Sequence, residues 1–429
     1  MTALLKTHTL GCKVNQYETQ YFREGLLTAG YRDALENEPA DLCVVNTCTV
    51  TSEGDAKSRQ TIRKLARHNP QARIVVMGCY ATRAPEEVAA LPGVVEVVTD
   101  KRELPDLLGR FGVVEVPTGI SQFGDRHRAF VKVQDGCLLR CSFCIIPQVR
   151  PNMYSRPLKE IVAEVRTLIA AGYREIVLTG IHLGHYGVDF NRYRPKAEWT
   201  RLSHLVERIV ELPGDFRVRL SSIEATEVTR ELIEVMAAHP ERVCPHLHIS
   251  MQSGSDAVLR RMRRRWGARR FMDRCGLVRE KIEQCAITSD VIVGFPGETE
   301  ADFRATCEVA RQVGFSKIHC FPFSPRRGTP AATMPDQVPS EIKQRRRREL
   351  AELEAELRER YFRDLLGRRL RVLIESPAPD RPGYYSGTAC RYAPVDVWLD
   401  DSPIGDFTDV IADQLDFDRI VGRRVGYDN

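Results

Sequence analysis

Short apolar segments alternate with helical segments through most of this 429-residue chain, and this alternation restricts the fold more than any other feature. The segments 4–10, 41–46 and 73–78 have the composition of strands, and each is followed by a helical pattern. Strands that alternate with helices form parallel sheets with right-handed crossovers. We therefore predict that the first 120 residues form an α/β domain around a parallel sheet.

The same alternation continues from residue 130 to residue 328. Candidate strands lie at 129–133, 175–179, 217–221, 246–251, 288–293 and 317–321. Six strand–helix units are too few for a closed eight-fold barrel, so a partial (β/α)6 barrel is predicted. A charged helix over 339–366 leads to short strand patterns that Gly and Pro interrupt, which is typical of a small β-barrel. The expected domains are 1–120, 127–360 with its linker helix, and 364–429.

The thirteen cysteines indicate metal binding more strongly than a disulfide framework. The N-terminus lacks the apolar core and the cleavage site of a signal peptide, and no apolar run approaches the roughly 20 residues of a membrane-spanning helix. The chain is therefore expected in the cytoplasm, away from membranes, where thiols stay reduced. A disulfide framework is the weaker alternative.

One cysteine follows each of the three N-terminal strands, at Cys12, Cys48 and Cys79. The carboxyl ends of parallel strands share one edge of the sheet, where ligands bind. We expect these three thiols to meet at that edge although they are far apart in sequence. Taken singly, each of them is equally well explained as a small buried hydrophobic residue.

A second set, Cys137, Cys141 and Cys144, lies in a compact loop directly after the first barrel strand. Three thiolates can hold three irons of a 4Fe–4S cube and leave the fourth iron open. An open iron is what S-adenosylmethionine needs in order to bind through its amino and carboxylate groups. A zinc site is the alternative, but zinc favours four ligands, and no fourth Cys or His has a suitable local spacing.

The CxxxCxxC loop of the second set resembles the radical-SAM superfamily, and the chain as a whole resembles its methylthiotransferase family. The segments that carry this resemblance are TLGCKVNQYET, VVNTCTVT, VMGCYAT, CSFCIIP, LHISMQSGSD, DVIVGFPGETEADF and FPFSPRRGTPAA. The resemblance implies an N-terminal cluster domain, a radical-SAM barrel and a C-terminal TRAM domain. It also implies two 4Fe–4S clusters, the second held by Cys12, Cys48 and Cys79. The implied reaction inserts a methylthio group at an unreactive C–H bond.

Several polar residues and glycines follow the barrel strands, where ligand sites of such barrels lie. Polar groups there can bind the ribose or the amino-acid end of S-adenosylmethionine, and glycines allow its close approach. The alternative is ordinary loop and capping chemistry, with Ser253 or Ser255 capping the next helix. The expected contacts are Thr179, Gly180, His182, Ser222, Glu224, Gln252 and Gly254.

The basic segment LRRMRRRWGARRF, at 259–271, is suited to phosphate contact and base stacking if it lies on the surface. A solvated helix face is the alternative. The arginines at 345–348 lie beside many glutamates, so intrahelical ion pairs are expected there. The resemblance of the last domain to TRAM implies RNA binding, although residues 396–409 are acidic.

The first motif, with Lys13, Val14 and Asn15 after its cysteine, most resembles the family branch that acts on N6-threonylcarbamoyladenosine beside the tRNA anticodon. Branches that act on isopentenyladenosine or on a ribosomal-protein aspartate are the alternatives. A non-catalytic, metal-containing RNA-binding protein is the alternative of another class. The resemblance implies a tRNA anticodon stem-loop as partner and an electron donor such as flavodoxin or ferredoxin. Pro151 departs from the glycine usual after Arg150, and its fixed φ predicts a different substrate-side loop.

Overall fold

The N-terminal sheet places the carboxyl ends of its strands along one edge. The computed structural model describes residues 2–124, 127–401 and 404–426. Five strands in the order β2-β1-β3-β4-β5 pair in parallel, which confirms the predicted sheet. The elements of this region are β1 (Leu4–Thr9), α1 (Lys13–Thr28), β2 (Arg32–Asp33), β3 (Leu42–Thr47), α2 (Ser52–His68), β4 (Arg73–Gly78), α3 (Cys79–Arg83), α4 (Pro85–Ala89), β5 (Val94–Val97) and α5 (Leu104–Arg110).

The helix after β4 begins earlier than the sequence predicts. The sequence pattern after residues 73–78 predicts a helix that starts near Ala84, whereas α3 begins at Cys79 and α4 follows from Pro85. Proline has no N–H and disfavours helical backbone at the residue before it, so Ala84 adopts φ −139° and ψ 63° and separates the two helices. Gly78 makes the turn into α3 at φ +100°, where a Cβ would lie 2.4 Å from the backbone of Thr47. The consequence is that Cys79 begins a helix directly at the sheet edge.

Six parallel strands form the central open barrel. Two sheets, β7-β6-β8-β9 and β10-β11-β12, are joined by bridges from Val218 to Val243 and from Ile223 to Ile249. This arrangement confirms the predicted partial (β/α)6 barrel. The elements are β6 (Arg128–Asp135), α6 (Ile146–Val149), β7 (Tyr154–Ser155), α7 (Leu158–Ala170), β8 (Glu175–Gly180), α8 (Leu202–Val210), β9 (Arg217–Leu220), α9 (Arg230–Ala238), β10 (His246–His248), α10 (Asp256–Arg261), α11 (Ala268–Lys281), β11 (Ala286–Val293), α12 (Glu300–Val313) and β12 (Lys317–Pro322).

A long helix joins the open barrel to a small closed β-barrel. Helix α13 (Ser340–Arg363) packs on β12 and α12, and Arg346 is buried against Glu298 and Glu300. Arg345 makes the expected intrahelical pair with Glu349. The closed barrel has the strand order β13-β14-β15-β17-β16 and confirms the predicted C-terminal β-barrel. Its strands are β13 (Arg369–Pro377), β14 (Tyr384–Ala389), β15 (Pro394–Trp398), β16 (Phe407–Asp416) and β17 (Arg419–Arg424).

Separate hydrophobic cores lie in the three regions. Two cores flank the N-terminal sheet, one fills the open barrel and includes Leu350 and Leu357 of α13, and one fills the closed barrel. The boundaries at 120, 127, 360 and 364 remain predictions, and residues 427–429 of the last domain lie outside the described residues. Within the described ranges, none of the helices combines the length and the apolar composition that crossing a bilayer requires.

Candidate active site between two cysteine sets

The three N-terminal cysteines lie together at the carboxyl edge of the sheet. Cys12 caps α1 after β1, Cys48 follows β3, and Cys79 begins α3 after β4. A Cβ at Gly11 would lie 3.0 Å from Sγ of Cys48. Cys79 is close enough to Cys12 and Cys48 that a negative charge on it raises the pKa of both. Parallel strands thus bring three distant thiols into one site, as the order of strands and helices predicts.

Loss of hydration at the sulfur disfavours the thiolate form of Cys12 and Cys48. It raises the pKa of Cys12 to about 11, although the guanidinium of Arg150 acts in the opposite direction, and it also raises the pKa of Cys48. Without a cation, both groups are therefore thiols at neutral pH. Of the three cysteines, Cys79 is buried, Cys48 is partly buried and Cys12 has access to solvent. Three sulfurs at one sheet edge fit an iron–sulfur cluster, since the metal charge stabilises their thiolates.

The second set lines a small cavity at the carboxyl ends of the barrel strands. Cys137, Cys141 and Cys144 follow β6, and the loop turns tightly, with the amide of Cys144 donating to the carbonyl of Cys141 at 3.1 Å. All three cysteines line a cavity of 160 Å³. Burial raises the pKa of Cys144 to about 12. Three sulfurs beside a cavity fit a cluster that leaves one iron accessible to a ligand.

A short apolar segment separates the two sets. Cys79 packs directly against Ile145 and Val149. Ile145 follows Cys144 and is the N-cap of α6, and Val149 is the last residue of that helix. Helix α3 and helix α6 are accordingly in contact. Ile146 packs against the same apolar cluster and also lines the small cavity, so this segment lies between Cys79 and the second set.

Arg150, at the end of α6, links the two domains through a buried network that the sequence did not reveal. Its guanidinium donates to both carboxylate oxygens of Glu18, at 2.7 and 2.8 Å, to Asp135 at 2.9 Å, and to Asn15 at 2.8 Å. Its Nε donates to Sγ of Cys79 at 3.4 Å. The main-chain carbonyl of Arg150 accepts from the amide of Cys137 at 3.4 Å, so one residue contacts both sets.

Four of the seven residues expected to bind S-adenosylmethionine line the small cavity. These are His182, Ser222, Glu224 and Gln252. Gln252 has φ +65°, a left-handed backbone that is uncommon for a residue other than glycine. Whether these four side chains bind the cofactor remains a prediction.

The other three lie behind the strand ends. Thr179 is buried within β8, and Gly180 packs on Gln134, where a Cβ would lie 3.0 Å from Oε1. A Cβ at Gly254 would lie 2.6 Å from Cα of Thr306 on α12, so this glycine serves the packing of a helix against a loop. Ser255 is the N-cap of α10, as the capping alternative predicts.

His182 belongs to a buried cluster with two residues that were not predicted from the sequence, His185 and Glu227. Its Nδ1 lies 3.6 Å from Sγ of Cys137, and its Nε2 lies 3.3 Å from Glu227. Burial opposes the charge of His182, but its contacts with Cys137 and Glu227 raise its pKa to about 9. The ring of His185 stacks on it with centroids 3.6 Å apart. No local pattern marks Glu227, because its partners lie on another loop.

The basic segment at 259–271 differs from the predicted RNA surface. Trp266 is only 5% exposed and stacks on Phe271, so the prediction that it stacks on bases is wrong. Arg264 is also buried, where it pairs with Glu224 and donates to Sγ of Cys141 at 3.3 Å. The sequence does not show whether a tryptophan between arginines points to the solvent or to the core. Here its ring is buried in the apolar core, which is more favourable than exposure to water. Arg264 is consequently part of the cavity wall.

Replacing Gly136 with alanine is expected to disorganise the second cysteine loop. At φ +76° an added Cβ would lie 2.2 Å from the carbonyl oxygen of Asn152, so strain and a clash combine. We expect a loss of about 1–3 kcal/mol in the free energy of unfolding and fewer irons bound after reconstitution. Denaturant titration and iron analysis measure these effects.

Gly172→Ala is the matched control for that variant. Gly172 has φ +94°, but nothing lies within 4 Å of an added Cβ. Gly172→Ala should therefore lower the free energy of unfolding only by the cost of placing alanine in a left-handed backbone, about 1 kcal/mol, and leave the iron content unchanged. Equal iron content in both variants would contradict a role for Gly136 in shaping the loop.

Comparisons with known proteins define the class first. The family model described as Radical SAM superfamily matches residues 131–310, which contain the second cysteine set. The radical S-adenosylmethionine methyltransferase TsrM from Kitasatospora setae has a TM-score of 0.55 at 16% identity, over 77% of each chain. The cobalamin-dependent radical enzyme OxsB has a TM-score of 0.53 at 11% identity, over 83% of this chain and 56% of that one. The chain is a radical-SAM enzyme, a class that uses S-adenosylmethionine and a 4Fe–4S cluster.

Closer relatives give the family. A model described as Uncharacterized protein family UPF0004 matches residues 5–100. Threonylcarbamoyladenosine tRNA methylthiotransferase MtaB of Bacillus subtilis is 43% identical over 84% of this chain and 82% of the relative, and that of Thermotoga maritima is 39% identical over 86% of each. The tRNA-2-methylthio-N(6)-dimethylallyladenosine synthase of Corynebacterium urealyticum is 35% identical over 86% of this chain and 72% of the relative. The chain belongs to the radical-SAM tRNA methylthiotransferase family.

Proposed function

We propose that this enzyme attaches a methylthio group to C2 of N6-threonylcarbamoyladenosine next to the anticodon of tRNA. The observation that carries the proposal is the pair of three-cysteine sets beside α6. Cys79 of the first set packs against Ile145 and Val149, and Ile146 lines the cavity of the second set. One set beside an S-adenosylmethionine cavity serves radical formation, and a second set within the same site serves sulfur delivery.

Each set of cysteines has a distinct role in this proposal. Cys137, Cys141 and Cys144 hold the cluster that binds S-adenosylmethionine, and Cys12, Cys48 and Cys79 hold a second 4Fe–4S cluster. When bound, these groups supply electron transfer, the radical and the sulfur. A flavodoxin-like or ferredoxin-like donor provides the electron.

The surrounding side chains position the groups and exclude water. His182, Ser222, Glu224 and Gln252 face the cavity beside the second set and bind the polar ends of S-adenosylmethionine. The aliphatic side chains of α6 keep the space between the two sets dry. A dry, preorganised site protects a reactive radical from side reactions.

Asn15 belongs to the motif that resembles the threonylcarbamoyladenosine branch, and it holds the loop of Cys12 in place. Asn15 donates from Nδ2 to the carbonyls of Leu10 and Thr47, at 2.9 and 3.0 Å, and accepts from Arg150. This side chain therefore closes the loop that presents Cys12. Relatives named for threonylcarbamoyladenosine include the one at 43% identity, whereas the Corynebacterium relative named for dimethylallyladenosine is 35% identical.

Nucleoside analysis of tRNA from a deletion strain tests this substrate. We expect the 2-methylthio form of N6-threonylcarbamoyladenosine to disappear and the unmethylthiolated form to accumulate, as mass spectrometry of digested tRNA will show. The wild-type gene should restore the product, and the Cys141→Ala gene should not.

Two other results would contradict the assignment. Loss of the methylthio form of isopentenyladenosine, with the threonylcarbamoyl product unchanged, would place the enzyme in the other tRNA branch. Unchanged tRNA together with an unmodified ribosomal-protein aspartate would place it in the protein-modifying branch.

A further inference from the structure

A second, larger cavity of 1190 Å³ opens beside the cluster loop. Its walls come from Leu138 of that loop, from the segment Pro151 to Tyr154, and from the long loop between β8 and α8. We propose that this cavity binds the unpaired nucleotides that flank the target adenosine in the anticodon loop. The proposal rests on the proposed function and adds a binding surface to it.

Aromatic rings and guanidinium groups pair on the wall formed by the β8–α8 loop. Tyr193 is 87% exposed, with the guanidinium of Arg192 5.4 Å from its ring centroid. Arg201 lies 5.5 Å from the ring of Trp199, whose Nε1 donates to the carbonyl of Arg194 at 2.9 Å and thus fixes the ring. Unstacked bases bind on such aromatic and guanidinium planes, irrespective of their sequence.

The charge of the cavity also fits a phosphate backbone. Arg102, Arg192 and Arg201 line it, with Arg102 paired to Asp100 and Arg201 to Glu231. Of its two carboxylates, Asp189 accepts hydrogen bonds from the amide and hydroxyl of Ser155 at 2.8 and 2.6 Å, and Glu227 lies 3.3 Å from Nε2 of His182. In the part of the chain the structure describes, no carboxylate forms an ion pair with Arg192. Its guanidinium is therefore available to a phosphate oxygen.

The position of the cavity fits the neighbours of a reacting nucleotide. Glu227 and His185 line the large cavity, and His182, 3.3 Å from Glu227, lines the small one beside the second cysteine set. The two cavities are thus separated by a single layer of side chains. Leu138, 52% exposed, lies one residue after Cys137 and faces the large cavity. An RNA loop held here has its next nucleotide beside the cluster loop.

Binding of a fluorescently labelled anticodon stem-loop containing N6-threonylcarbamoyladenosine tests this assignment. With reconstituted full-length enzyme, Tyr193→Ala should raise the Kd about tenfold, because one base loses its stacking partner. Arg192→Gln should raise the Kd and reduce the slope of log K against log salt by about 0.7, as expected for one lost phosphate contact. Arg348→Gln, an exposed arginine on α13, is the matched control and should leave both quantities unchanged.

The outcomes distinguish a failure of the proposed RNA site from a failure of the proposed reaction. Kd values within twofold of wild type for both cavity variants would overturn the RNA site but leave the nucleoside analysis of the deletion strain untouched. Unchanged RNA binding combined with weaker binding of a reduced flavodoxin would also overturn it, by assigning the surface to an acidic protein. Cleavage of S-adenosylmethionine without RNA, measured in parallel, should equal wild type in both variants.

Discussion

Replacing Cys141 with alanine is expected to abolish the reductive cleavage of S-adenosylmethionine. Cys141 is one of three thiols around the 160 Å³ cavity, and two thiols cannot hold a stable 4Fe–4S cube. The reconstituted wild-type protein should bind about eight irons and the variant about four. Anaerobic assays for 5′-deoxyadenosine, with iron analysis on the same sample, measure both effects.

The variant Cys48→Ala distinguishes the roles of the two cysteine sets. It should also lose about four irons, but it should retain part of the uncoupled cleavage of S-adenosylmethionine while methylthiolation stops. Cys43→Ala is the control for cysteine loss itself, since Cys43 lies within β3 and its side chain is buried in the core on one face of the sheet. Full methylthiolation by the Cys48 variant would contradict a second cluster, and zinc without iron in the wild type would favour the non-catalytic alternative.

Arg150→Ala is expected to produce the largest loss of stability. The variant leaves Glu18 and Asp135, both almost fully buried, with Lys132 as their remaining cation. Removal of one member of a buried ion-pair network costs about 3–5 kcal/mol. Denaturant titration of the apo protein, followed by circular dichroism, should show this decrease at neutral pH. Arg345→Ala, in an exposed ion pair with Glu349, should cost under about 1 kcal/mol.

The difference in the free energy of unfolding between Arg150→Ala and the wild type should depend on pH. Burial alone would raise the pKa of Glu18, but Arg150 and Lys132 hold it below its usual value, and the pKa of Asp135 is lowered in the same way. Such carboxylates stabilise the fold above their unfolded pKa of about 4, and this contribution is lost as the pH falls. The loss occurs mainly below about pH 4, as the pH falls through the lowered folded pKa of each carboxylate, so the deficit of Arg150→Ala should be larger at neutral pH than near about pH 2. A deficit below about 1 kcal/mol at neutral pH would contradict the network.

Pro151 follows Arg150 at the boundary between the buried network and the large cavity. The side chain of Arg150 contacts Cys79, and its carbonyl accepts from the amide of Cys137, so the residue is held from both sides. Pro151 has no N–H to contribute and lines the wall of the large cavity. The substitution therefore falls on the surface proposed to contact RNA, where the sequence analysis expected a different loop.

The order of strands and helices and the position of each cysteine at a strand end were determined by the sequence itself. Strand β4, for example, spans the predicted 73–78. These are local properties, because apolar periodicity and turn residues act over a few neighbouring positions. Parallel crossovers bring the carboxyl ends of the strands to one edge of the sheet, so the location of the first cysteine set could be predicted without knowledge of the packing.

Only the tertiary structure decided which charged and aromatic residues are buried. Arg150 and Glu18 are 132 residues apart, Arg264 and Cys141 are 123 apart, and Trp266 lies in a stretch whose composition favours the surface. A charge is buried only where partners from other elements satisfy it, and no local pattern encodes those partners. For that physical reason the cysteines could be found from the sequence, while the residues that hold and separate the two sets could not.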